Sequence, residues 1–424
     1  MKKSTFNKNF KKFSAAVIAI SMAVSGAPGV QESKYAKANV NKGDTLKEEE
    51  AVETTIANIS TWDDLRQKLE LNGEKILTLS ADITCGSNDK ELINNDTTFL
   101  DLNGHVINRG LSKDSKEVGE VISNYGNLNI SDNSGGNTTH TIKDYYTGDE
   151  IEVKGGVITG GNGVLGSGIH NVSGYLFLDN VTICGNGGGS YGGAIYNEKG
   201  TACNIKNSNI SYNYAEVNGG GIYTEAGESG GCSLVDSTVT DNIAGKDGGG
   251  LYVSSPVGVT FFKFLLNGTV IIKDNKLTTG EKSNLHLEKG SMIGLGGDGA
   301  LAQIGISYKD DSGTVGDKSF TDNSYDSFVS NLYGNFDYDK VFTSDDPDYG
   351  IKQVVESGHN TLILEKYEEP ETWKEFSKLV RNNHYYIRLT KDLTASDSDS
   401  YIEIPDGSKL DLDLNGHVLD RGNP

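Results

Sequence analysis

The stretch LDLNGHVINRG, residues 100–110, returns as LDLNGHVLDRG, residues 412–422, with two mild differences, Ile107/Leu419 and Asn108/Asp420. Each copy holds an Asp, a His and an Arg, residue types able to supply an acid, a base and a charge clamp. Cleaving a glycosidic bond takes two carboxylates converging on one cleft. A lyase needs a strong base, often Arg or Lys, beside a metal held by carboxylates. Between residues 160 and 253 the acids are scattered (Asp179, Glu198, Glu216, Glu225, Glu228, Asp236, Asp241, Asp247), and no Arg lies between Arg109 and Arg381. The sequence therefore nominates no catalytic residue. The other chemistry-bearing set is one aromatic ring per repeat: His170, Tyr196, Tyr223 and Tyr252.

These rings sit in a repeat. GSGIHN (166–171), GGAIYN (192–197), GGGIYT (219–224) and GGGLYV (248–253) are separated by LDNVTICGN (178–186), IKNSNISYN (205–213), LVDSTVTDN (234–242) and NGTVIIKDN (267–275), with a weaker earlier copy at 121–133. A period in the high twenties marks a stacked architecture. Each unit has short alternating runs punctuated by Gly and Asn, which read as strands and corners. The predicted fold is thus all-β, a parallel β-helix with coils about 4.8 Å apart. Alternation turns Ile169, Ile195, Ile222 and Leu251 inward, with Leu178/Ile205/Leu234 and Ile183/Ile210/Val239. Asn186, Asn213, Asn242 and Asn275 should form a corner ladder. His170, Tyr196, Tyr223 and Tyr252 should face solvent, either as sheet-stabilising stacks or as a platform for a sugar chain. Cys203 and Cys232 fall at matching inner positions, as stacked small hydrophobes or as a disulfide between coils.

The ends of a coil expose strand edges that something must cover. TWDDLRQKLEL (61–71) predicts a short amphipathic helix capped by Thr61, with Trp62, Leu65 and Leu69 on one face. TWKEFSKLV (372–380) repeats it, and YYIRLTKDLT (385–394) repeats the first strands at 75–84. In LDLNGHVINRG itself, Leu100, Leu102 and Val106 should point to the core. Asn103-Gly104 should form a left-handed corner, with His105 and Arg109 near the outer surface. The expected organisation is a signal peptide (1–38), an acidic linker (39–58), cap helix and coils (59–283), a C-terminal β segment (284–367), and the start of a second, truncated unit (368–424), as in a fragment of a longer tandem array.

Lysines 2, 3, 8, 11 and 12 followed by SAAVIAISMAVSGA give the leader its secretory character. Its first 38 residues carry seven Lys and one Glu, so its removal takes the net charge from −21 to −27. Such a charge argues against nucleic acid or an anionic membrane as partner, and no later segment is long and apolar enough to span a membrane. No cofactor is required by any motif. Calcium is the metal an acidic chain would hold, but no D-x-[DN]-x-[DN]-G loop occurs, so such a site would be assembled from distant strands.

The leader, the W-x-x-L helix, the LDLNGH-V strand and the GG-[AG]-[IL]-Y repeats together resemble right-handed parallel β-helix surface proteins of Gram-positive gut bacteria. The GGAI and x-x-N signature is similar to that of the polymorphic outer-membrane protein family. The stretch Asn284 to Lys366 resembles the segment such proteins carry after their coils. The resemblance implies a secreted or wall-associated, adhesin-like protein that binds polysaccharide, mucin or another surface glycan or protein. The fold is also that of pectin and pectate lyases, so a polysaccharide lyase or glycoside hydrolase is the second reading and a non-binding stalk the third.

Overall fold

The computed structural model describes residues 54–422 apart from 87–89, 226–230, 255–261, 289–290, 297–302, 310–318, 322–336 and 383–384. The leader, most of the linker and most of the polar stretch 309–345 lie outside the described residues. What is described is all-β and mostly parallel. A nine-stranded parallel sheet, wall A, runs from Thr55–Ile59 through Lys75–Leu79, Thr98–Asp101, Asn127–Ser131, Tyr175–Asp179, Ala202–Lys206, Gly231–Val235 and Phe262–Asn267 to Ser291–Gly296. A second sheet contains two runs. Wall B goes from Ile83–Thr84 to Ile271–Lys273, and wall C from Leu92–Asn94 to Leu285–Glu288. Strand Gln303–Lys309 joins them, because Ile304 pairs with Ile272 of wall B while Ile306 pairs with Leu285 of wall C.

The chain visits the walls in rotation. It passes Ile169–Asn171 (wall C), Tyr175–Asp179 (wall A) and Val181–Cys184 (wall B), then returns to wall C at Ile195–Asn197, in parallel register with Ile169–Asn171. This arrangement is consistent with a β-helix. Left-handed residues set the corners. Asn180, Asn207, Asp236 and Gly268 mark the turn from A to B, and Gly192, Gly219 and Gly248 the turn into C. At the last corner only glycine fits, since a Cβ on Gly192 would stand 2.3 Å from the Ile195 carbonyl oxygen.

One continuous core results. Ile169, Ile195, Ile222 and Leu251 are fully buried, with Leu178, Ile205, Leu234, Ile183, Ile210 and Val239, as alternation predicts. Leu176, Cys203 and Cys232 share one inner column, and none of the four cysteines is in a disulfide. Helix α1, Trp62–Glu70, starts at Thr61, whose side chain accepts from the Asp64 N–H, and buries Trp62, Leu65 and Leu69 in the same core. At the other end α2, Tyr338–Val341, and the antiparallel hairpin Tyr349–Glu356/His359–Lys366 add Val341, Ile351, Leu362 and Leu364 to it. The LILEK run, 362–366, lies in the second half of that hairpin.

Helix α3, Trp373–Arg381, has the same Thr cap and buries Trp373, Phe376 and Val380; the last two belong to a separate core cluster with Ile387, Leu389 and Leu393. Its strands repeat the first pairings, with Ile387 opposite Leu412 and Leu393 opposite Leu419, as Leu77 is opposite Leu100 and Ile83 opposite Ile107.

Three expectations change. Thr55–Asn58, assigned to the linker, begin the first strand of wall A, Thr55–Ile59. Val106 does not enter the main core; Ile107 does. Val106 packs on the outside with Val157, Cys184, Ile142 and Val153, under an antiparallel hairpin, Thr139–Lys143/Glu150–Lys154, that the repeat pattern did not reveal. Arg109 is buried, 5% exposed, and not on the surface. Each residue is covered by another segment of the chain, Val106 by the hairpin over wall B and Arg109 by Trp62 and Glu117, so outward is no longer the same as exposed.

Candidate functional site

The repeated Asp-His-Arg block ties backbone together. Asp82 Oδ1 accepts from the Val106 N–H at 3.1 Å and meets His105 Nδ1 at 3.0 Å. In the second copy Asp392 Oδ1 accepts from Val418 N–H at 3.0 Å and meets His417 Nδ1 at 3.3 Å. Asp101 holds the Asn103 N–H at 2.9 Å, and Asp413 holds that of Asn415 at 2.8 Å. Arg109 lies 5.7 Å over the Trp62 ring, Arg421 6.0 Å over Trp373. The same bonds in both copies make the block a folding device. Its key carboxylates, Asp82 and Asp392, lie outside the block, yet both precede an [IL]-T pair, the signal that could have found them.

The four rings do form a column. Tyr196 and Tyr223 stack at 5.1 Å, Tyr223 and Tyr252 at 5.2 Å, and His170 meets Tyr196 edge-on at 5.3 Å. The column continues to His286, 4.7 Å from Tyr252, a residue that sequence reasoning passed over because the segment lacks the GG motif. Its signal was the Leu285-His286 pair, in register with Leu251-Tyr252. The expected solvent exposure does not hold: Tyr196, Tyr223 and Tyr252 are 7%, 9% and 8% exposed, packed against Leu165 and Tyr191. Three polar tips reach one repeat onward. His170 Nε2 meets Glu198 at 2.9 Å, the Tyr196 hydroxyl donates to Glu225 at 2.5 Å, and Tyr223 bonds Ser254. Burial first, then the Glu225 bond, raises the Tyr196 phenol above its ordinary value. The rings face away from the main core but form a covered spine with diagonal staples.

A second spine runs at the B-to-C corner. Each Asn gives its side-chain amide to the next: Asn186 to Asn213, Asn213 to Asn242 and Asn242 to Asn275 at 3.0 Å, then Asn275 to Asn284 at 3.1 Å. Asn284 passes it to Asp345 at 2.5 Å. The four expected asparagines are all members, and the structure adds the last two. On wall C, Asn94, Asn124, Asn171 and Asn197 form another such ladder.

Glu91 and Glu120 share a side-chain hydrogen bond, and burial, then Glu120's charge, holds the Glu91 carboxyl above its ordinary value. Among the described residues no group of three or more His, Cys, Asp and Glu side chains is placed to hold a metal ion, and no helix is long and apolar enough to cross a membrane. No protein-family model matches the chain. Neither a curated protein nor a solved structure matches it significantly.

Proposed function

We propose that the chain is a secreted or cell-wall-associated, right-handed parallel β-helix of the pectin-lyase-like kind, in which α1 closes one end of the coil and the 349–366 hairpin the other, and that it works as an adhesin-like protein binding surface glycans. The observation that supports this is the unbroken nine-strand register of wall A. It gives a rigid stack whose Asn and aromatic columns hold the coils together, leaving the outer surface for repeated weak contact. The burial of Tyr196, Tyr223 and Tyr252 moves that contact away from their ring faces. The hydrolase reading has one observation in its favour, the Glu91–Glu120 pair. Its direct hydrogen bond is closer than the roughly 5 Å separation of a retaining glycosidase, which weighs against it. Incubating the mature chain with a polysaccharide and mucin panel tests the choice. Retention without product release supports the adhesin, release of oligosaccharide the hydrolase, and neither the stalk.

A further inference from the structure

The hairpin over wall B ends in a turn, Asp144 to Gly148, that carries two adjacent tyrosines with opposite fates. Tyr145 turns inward: it is 8% exposed, and its hydroxyl donates to Asn162 Oδ1 at 2.6 Å. Tyr146 turns outward and remains half-buried. Its ring is held by Tyr214 at 5.0 Å, and Lys113 Nζ lies 5.5 Å from its centroid while donating to its carbonyl at 3.2 Å. The turn is already fixed by Asp144, which accepts from the Tyr146 and Thr147 N–H groups at 2.7 and 3.1 Å. No turn geometry requires an aromatic at 146.

Beside that ring lies a cleft of about 530 Å³, walled by residues 110–114 and by the hairpin from Thr141. Its volume falls within the roughly 300–1,000 Å³ of small-molecule sites. Gly160 and Gly185 line its floor without side chains. They must be glycine, since a Cβ would stand 2.1 Å from Asn108 Oδ1 at the first and 2.5 Å from the Lys143 carbonyl at the second. The rim offers an acceptor, the exposed Asp114 carboxylate, and donors on the exposed Lys113 ammonium. A pre-oriented aromatic ring with donors and an acceptor at its edge matches a ring that is apolar on its faces and hydroxylated at its rim.

We infer that this cleft binds a neutral hexose residue of a glycan chain, with the Tyr146 ring as stacking surface and Asp114 and Lys113 bonding its hydroxyls. The inference rests on the glycan-binding reading and assigns that reading a site. Affinity electrophoresis of the full chain in gels containing soluble mannan, galactan, β-glucan or polygalacturonate tests both. Tyr146→Ala and the surface variant Asp114→Ala are run beside the unaltered chain, with thermal melts to show that each is folded. The expected result is retardation by a neutral polymer that weakens about tenfold in Tyr146→Ala and also falls in Asp114→Ala, with little dependence on salt. Equal retardation of all three proteins would overturn the cleft and leave the glycan reading standing. Retardation by polygalacturonate alone, lost in salt, would overturn the neutral-sugar assignment. No retardation of the unaltered chain by any polymer would overturn both.

Discussion

Asp345 meets Asn284 with both carboxylate oxygens, one taking its backbone N–H at 2.6 Å and the other its side-chain amide at 2.5 Å. The ladder that ends there has a direction. It opens with the Gly161 N–H donating to Asn186 Oδ1 at 3.0 Å, and every later member donates onward. Asp345 closes it by accepting from three donors, the two Asn284 groups and the Ser307 hydroxyl at 2.9 Å, with no donor of its own to place.

Asp345→Asn should therefore be harmful despite its shape. The new NH2 faces a donor, and one buried N–H loses its partner at a cost of about 1–3 kcal/mol. Urea unfolding should show this loss, and a larger one for Asp345→Ala. An Asp345→Asn protein as stable as the parent would refute the donor-direction argument.

Tyr223 lies between Tyr196 and Tyr252, at 5.1 and 5.2 Å. Tyr223→Ala should open a gap in the spine and cost about 3–5 kcal/mol. Tyr196→Phe should lose only the Glu225 bond, about 1 kcal/mol. Glycan retention by the folded fraction should stay unchanged in both, measured on protein held well below its melting temperature. Lost retention in a fully folded Tyr196→Phe protein would return the column to the binding surface.

The Glu91 carboxyl is held above its ordinary value by burial and then by Glu120. The folded chain thus keeps a proton that the unfolded chain releases. This contribution is fully present below about pH 4.5 and is lost as pH rises through the raised folded value. Glu91→Gln removes that loss. The variant should match the parent near pH 4 and be more stable than it at pH 7.5, by urea midpoints. A constant difference across the range would contradict the shift.

Cys184, Cys203 and Cys232 are buried, and burial raises the Cys184 thiol to about 12 and the Cys232 thiol well above its ordinary value. The thiolate is the reactive form. Alkylation of native protein should reach partly exposed Cys85 first and spare the other three until unfolding, as mass spectrometry would show. Early labelling of Cys203 or Cys232 would indicate that wall A opens there.

The repeat and its inner columns were legible in the sequence because they depend on local chemistry. Gly192, Gly219 and Gly248 take left-handed corners that side chains resist. Ile169, Ile195, Ile222 and Leu251 alternate with His170, Tyr196, Tyr223 and Tyr252, and period-2 alternation has one meaning in a strand. Thr61 and Thr372 each sit before a Trp and cap as their type predicts. Neither the exposure of the outer face nor the end of the ladder could be read that way. The hairpin over Val106, the partners that cover Tyr196, Tyr223 and Tyr252, and the meeting of Asn284 with Asp345 join residues far apart in sequence. The sequence by itself determined the stacked strands, their period and their inward side, since those follow from backbone sterics and alternation within a few residues. Which outward residues are covered, and which cleft stays open beside Tyr146, was decided only when distant segments packed over the parallel sheets.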